Sequence, residues 1–294
     1  MPDPSTAAHR AMTAFFVTLA LLFATGAAAT EDVTPNRNVP EVQPAPLAPS
    51  FSEPPTAAEI RRARVFEEPL LPTGPATEAD NRALAGALAA YLADGGGEHT
   101  GAIEAYLDLH PDSPWSASLH TNLGIVSFRT GYWTRALDHW EAAWAAGRQF
   151  TAPPTNAIAD RAVGELAKMN ARLGRFDRLE ALFVEIETSG RDVGGSAGEM
   201  LAGAREGLWI MRNRPEVGFK CGPFGINSVL EATKPDYRFD SRIHDYESTV
   251  RGTSLRENRD LADDLGFSMR AAFRERSDSE IVVPSLVHWE AGHY

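Results

Sequence analysis

The sequence predicts a mainly α protein, an array of paired helices followed by a smaller α+β module. Three observations carry this. Residues 77–213 hold helical periodicity throughout and repeat themselves at a spacing of 34 residues. After Asn213-Arg214-Pro215 the order becomes helix, helix, strand, strand. The first 78 residues are an apolar run followed by a proline-rich stretch, and they add no large element.

Residues 1–29 read as an export signal. His9-Arg10 gives a weakly positive start, Ala11 to Ala24 is almost wholly apolar, and Ala27-Ala28-Ala29 offers a small-residue cleavage site. The run is shorter than the ~20 residues of a comfortable membrane span. The expectation is an exported protein of the periplasm, envelope or exterior, with no stable membrane span after cleavage. An uncleaved segment acting as an anchor is the alternative. Residues 30–78 are expected to be a disordered linker. Thr34-Pro35, Pro44-Ala45-Pro46, Pro54-Pro55 and Leu71-Pro72 each interrupt helix and strand, because proline lacks an N–H and restricts its predecessor. Within it, Thr56 to Glu67 holds a few helical turns, read as a solvated helix tethered to the next domain.

The helical region spans residues 79–212. Ala102, Tyr106 and Leu109 recur 34 residues on as Ala136, Trp140 and Ala143. Leu123-Gly124, Gly131-Tyr132 and Trp140 form the clearest unit. Leu166-Ala167, Gly174-Arg175-Phe176, Leu179, Phe183 and Ile186 repeat it at an offset of 43 residues, so about nine residues are inserted near Gln149 to Pro154. This resembles the tetratricopeptide repeat, without the usual aromatic where Ser127 and Asn170 stand. An irregular helical bundle is the competing reading. The resemblance implies an α-solenoid whose concave surface holds a peptide or partner protein. His110, His120 and His139 read as helix or turn residues, since no carboxylate pairs with them at metal-ligand spacing.

Residues 213–294 hold the chain's one cysteine. Cys221 opens a helix that runs to Glu231, with Gly222-Pro223 in its first turn and Phe224, Ile226, Val229 and Leu230 on its apolar side. A thiol there feels the positive end of the helix dipole, which favours thiolate. In an oxidising compartment a lone cysteine is buried and inert, paired with another chain, or kept as a reactive thiol. Thr253 or Ser254 caps a second helix with Leu255, Leu261, Ala262 and Leu265 as its stripe and Gly266 at its end. Phe267 to Phe273 and Ile281 to Trp289 then read as strands.

These residues carry a second resemblance. Cys221-Gly222-Pro223, Gly252-Thr253-Ser254-Leu255, Pro284-Ser285-Leu286-Val287-His288-Trp289 and Gly292-His293-Tyr294 resemble the bacteriocin-processing, papain-like cysteine peptidases. The resemblance implies a truncated α+β peptidase domain, with Cys221 as nucleophile and His293 as general base. It makes His288 an accompanying residue, read as buried in the strand. The family's oxyanion Gln has no counterpart in residues 213–220, and the chain stops one residue after His293, before an Asp or Asn that would orient its ring. Such an ending reads as the front of a longer polypeptide or a degenerate remnant.

With 28 Lys+Arg against 40 Asp+Glu, the formal charge of -12 argues against a nucleic-acid surface. No Walker loop, zinc-spaced Cys/His set or dinucleotide fingerprint occurs, so no cofactor is expected. Three functions stand: an exported cysteine peptidase, a catalytically silent peptidase-like module whose repeats bind peptide or protein, and a truncated domain in which Cys221 is simply core.

Overall fold

The computed structural model describes residues 49–275, 280 and 282–288. Residues 1–29, read as a signal, and His293 lie outside the described residues. The protein is mainly helical, in the order α1 (Ala57–Arg62), α2 (Glu78–Ala93), α3 (Gly101–Leu109), α4 (Ser116–Arg129), α5 (Trp133–Gly147), α6 (Asn156–Arg172), α7 (Phe176–Ser189), α8 (Gly195–Asn213), α9 (Pro215–Gly218), α10 (Cys221–Thr233), α11 (Ser241–His244) and α12 (Leu255–Asp264). No helix among the described residues is long and apolar enough to cross a membrane.

Local chemistry sets the boundaries. Thr56, Thr77 and Ser254 each cap a helix, the hydroxyl accepting from the backbone N–H of Glu59, Asp80 or Glu257 while the cap's own N–H donates to that residue's carboxylate, so orphan N–H groups are satisfied at three starts. The ends of α4 and α6 repeat one another. Tyr132 N donates to Ser127 O and Gly131 N to Phe128 O; 43 residues on, Arg175 N donates to Asn170 O and Gly174 N to Ala171 O. Gly131 (φ 85°) and Gly174 (φ 66°) supply the left-handed residue that each such C-cap requires. The three-residue connections that follow leave no room for anything but a helical hairpin.

Packing follows the spacing. On α5, Ala136, Leu137, Trp140, Ala143 and Trp144 form the buried stripe, and on α7 Leu179, Leu182, Phe183 and Ile186 do the same. Helix α4 is buried nearly all round and α6 is buried on most of its faces, and each lies between its neighbours. One core joins α5 to α8 around Trp140, Val163, Leu166 and Phe183; another joins α1 to α4 around Leu84, Leu88, Ile103, Trp115 and Leu119. Trp140 fits against α4 because Gly124 has no Cβ: one built there would lie 2.3 Å from the indole Nε1. The 34-residue match breaks at one point, since Leu109 is 77 % exposed whereas Ala143 is buried.

The linker reading of residues 30–78 does not hold from residue 49 onward. Ile60 is 1 % exposed and Leu70 3 %, both packed in the α1–α4 core. Proline confines this segment to one short helix, α1, and docking on other helices orders the rest. The inserted loop between α5 and α6 is tied down by Arg191, whose guanidinium donates to the carbonyls of Arg148 (2.9 Å), Phe150 (3.1 Å) and Asn156 (3.0 Å) and to Asp160 Oδ1 (2.6 Å). The histidines sit in helices or turns, as expected, but two of them meet: His120 on α4 and His139 on α5 bring their Nδ1 atoms to 3.1 Å.

The expected strands are absent. Among the described residues only an isolated antiparallel bridge joins Thr249 and Gly252. A strand is held by a ladder to a neighbour, and neither Phe267 to Phe273 nor residues 282–288 has one. Phe267, Met269 and Leu286 pack in part on the neighbouring helices, but much of the remaining apolar surface stays in water, with Phe273 91 % exposed and Val283 83 %. The described part of residues 213–294 is therefore a small helical cluster of Ile226, Leu230, Ile243, Leu261 and Ala262, not an α+β domain.

Candidate functional site

Cys221 is placed by the residue two before it. Phe219 is buried in the core of α5–α8, its ring lying where a Cβ on Gly174 would stand 2.8 Å away. Lys220 then turns back, and its Nζ donates to the carbonyls of His244 (2.5 Å) and Tyr246 (2.7 Å), fixing the loop beyond α11. Cys221 follows as the first residue of α10, half-buried and unbridged. No side chain caps this helix start, so its first N–H groups stay available beside the thiol. Pro223 sits in the same turn, where its missing N–H costs nothing.

Helix α12 approaches α10 at Gly222. A Cβ there would lie 2.2 Å from Thr253 Oγ1 and 2.5 Å from Asn258 Oδ1. Asn258 Nδ2 donates to Thr253 Oγ1 at 3.1 Å, and the buried Oδ1 has no hydrogen-bond partner. Ser254, not Thr253, is the N-cap of α12, which leaves Thr253 to face α10; Leu255 lies on the exposed side rather than in the expected stripe. Phe224 is also exposed, stacked on Phe239 at 6.2 Å.

A cavity of about 80 Å³ opens at the thiol, lined by Cys221, Leu173, Phe219, Arg251, Thr253 and His288. A second recess of about 370 Å³ shares Arg251, Thr253 and His288 and extends past Leu255 and Glu257. The first has room for little more than the scissile atoms of a chain, whereas the second falls in the size range of small-ligand clefts. His288 is carried there by an extended segment pinned through Leu286, whose Cδ1 lies 2.4 Å from where a Cβ of Gly225 would be.

Two of the residues singled out from the sequence are thus accounted for differently. Cys221 begins a helix, as Gly222-Pro223 predicts, and it also lines a cavity. His288 was expected buried in a strand; it is exposed, in no strand, and lines the cavity of the thiol. His293 lies outside the described residues. Arg251 and Asn258 escaped sequence reasoning, because an arginine before a glycine and an asparagine inside a capped helix carry no local signal. Gly222 was the available clue, since a glycine inside a helix marks a close approach of its neighbours.

Among the described residues no group of three or more His, Cys, Asp and Glu side chains converges as a metal set would. Comparison with protein families, with curated proteins and with solved structures finds no match.

Proposed function

We propose that this chain is an exported cysteine peptidase-like protein in which Cys221 attacks a peptide carbonyl and the helical pairs hold the substrate or its carrier. The observation that carries the reading is the cavity joining Cys221, at an uncapped helix start, to the imidazole of His288. The thiolate adds to the scissile carbonyl, the amine leaves with a proton from imidazolium, and water hydrolyses the resulting thioester. The resemblance to bacteriocin-processing peptidases gives the base's role to His293, and His288 is the second imidazole to be tested beside it. Repeats of the tetratricopeptide type are the finer reading of α2–α8, supported by the matching caps after Ser127 and Asn170 and by Trp140 seated on Gly124.

The test is cleavage of a peptide carrying a double-glycine leader junction by the full chain, with Cys221→Ala, His293→Ala and His288→Ala beside it. Cleavage is expected to vanish in Cys221→Ala and in one of the two histidine variants. Alkylation of Cys221 by iodoacetamide should slow in that same variant. Cleavage that persists in Cys221→Ala refutes the reading.

One observation favours a second reading, a module that binds without turnover. Among the described residues, 267–275 and 282–288 form no strand, and residues 213–220 hold no Gln to bind the oxyanion. Loss of one such donor costs ~100- to 1000-fold in rate. Peptide binding by a chain whose cleavage never exceeds that of Cys221→Ala would establish this reading.

A further inference from the structure

Residues 65–73 are neither helix nor strand, yet they are read by side chains as a bound peptide would be. Asn122 on α4 accepts from Glu68 N through Oδ1 at 3.0 Å and donates Nδ2 to Glu68 O at 3.1 Å. One turn earlier, Ser118 Oγ accepts from Leu71 N at 2.8 Å and donates to Leu71 O at 2.7 Å. One turn earlier again, Pro114 O accepts from Thr73 N at 2.7 Å. The contacts descend a single stripe at four-residue intervals while the segment runs the opposite way. Ser118 and Asn122 are buried, and this segment takes up most of their hydrogen-bonding capacity. A helix face meant only for packing would carry apolar residues at those positions.

Helix α6 supplies the other wall. Leu71 packs with Ile158 and Ala117, and Arg161 faces Glu67 and Glu68 while Arg129 of α4 pairs with Glu67. The fit is incomplete. Arg161 Nε is buried with no hydrogen bond, its nearest Glu68 oxygen being 3.5 Å away. The segment is flanked by Gly74 and by Arg64, which is held at φ 47°, a left-handed conformation that a non-glycine residue adopts under strain.

We propose that the α4–α6 face is a peptide-binding groove that the chain occupies with its own segment Phe66–Pro72, and that a partner's extended segment displaces it. The partner presents what the resident presents: two adjacent carboxylates for Arg129 and Arg161, then, after one residue, a pair of aliphatic side chains. Its backbone is read by Asn122 and Ser118, which ask only for an extended chain. The inference rests on the reading that the helical pairs hold a partner, and it adds which face does so, what chemistry it takes and what keeps it closed.

The experiment uses full-length Cys221→Ala chains, so hydrolysis plays no part and failure of the groove is separable from failure of the thiol. The probe is a fluorescein-labelled peptide with the sequence of residues 64–75, read by anisotropy. Glu67→Lys with Glu68→Lys loosens the resident segment without touching the groove. This variant is expected to bind the probe about tenfold tighter than the unaltered chain, since it removes the contacts of Glu67 with Arg129 and Arg161 and of Glu68 with Arg161. Adding Asn122→Ala should remove the binding. In the unaltered chain, the amides of Glu68 and Leu71 should exchange faster than those of the α4 interior, whatever the variants do to folding. Exchange of those amides only with global unfolding, or a folded variant that does not take the probe, overturns the proposal. Binding that survives Asn122→Ala also overturns it. So does elution of the loosened variant as a dimer, which would make the occupant a second copy of this chain.

Discussion

Arg191→Ala should be among the most damaging single substitutions in the helical array. The Arg191 side chain is 3 % exposed and that of its partner Asp160 11 %, and the guanidinium leans on Trp144 with 5.6 Å from Cζ to the ring centroid. It fastens the loop after α5, the start of α6 and the approach to α8 at one point. Removing it leaves a largely buried carboxylate whose remaining bond is from Asn156 Nδ2 at 3.2 Å. Breaking such a pair costs about 3–5 kcal/mol. The three carbonyls released lie on the loop and at the first residue of α6, within partial reach of water, so their loss, ~1 kcal/mol each at most, adds only in part. A net loss of about 4 kcal/mol is a large share of the ~5–15 kcal/mol that holds a domain. Urea unfolding followed by far-UV circular dichroism measures it as a fall in midpoint at constant slope. Arg191→Lys keeps the charge but not the fork, and should recover less than half. A loss below about 1 kcal/mol in Arg191→Ala would refute the claim that this residue holds the insertion, leaving apolar packing as its support.

Gly124→Ala should lower stability although alanine favours helix by about 1 kcal/mol. The new Cβ meets Trp140 at 2.3–2.8 Å, overpacking costs ~1–3 kcal/mol, and a raised melting temperature would contradict this. Asn122→Ala leaves the Glu68 N–H and C=O without partners and should cost ~1–3 kcal/mol in thermal unfolding. For pH, burial and then His139 push His120 down to about 4, and burial also lowers His139, which faces Glu104, Arg135 and Asp138. The unfolded chain then binds more protons between pH 6.5 and 4, so stability is full above about 6.5 and falls with acid by at most about 3 kcal/mol. Unfolding at pH 7 and pH 5 should differ less in His120→Gln, and an unchanged difference would place the effect elsewhere.

The helical array was legible because its signals are local. Period-3.6 stripes, capping pairs and the glycines at 131 and 174 need only neighbours in sequence. The packed segment before Thr77 was not legible, because prolines report only that a chain cannot be helix or ladder strand. What orders Leu70 and Leu71 is a face some 45 residues away, offering Ser118 and Asn122 as backbone readers, and no local pattern encodes that. Arg191 was hidden for the same reason, since its partners are carbonyls, which every sequence has.

The site divides along the same line. Cys221 was found because Cys-Gly-Pro describes a helix start, and the strands failed because alternating apolar residues state a need for a partner without supplying one. Phe219 explains why Cys221 is held in place all the same. Its ring belongs to the core of α5–α8, under Gly174 and within reach of Gly252. The first turn of α10 is therefore anchored by the helical array, two residues away, and by α12 through Gly222, and it needs no sheet to hold it. The array thus positions the thiol through Phe219, and the turn that ends α6, Leu173-Gly174, lines the cavity of Cys221, so the α4–α6 face and the thiol share one helix.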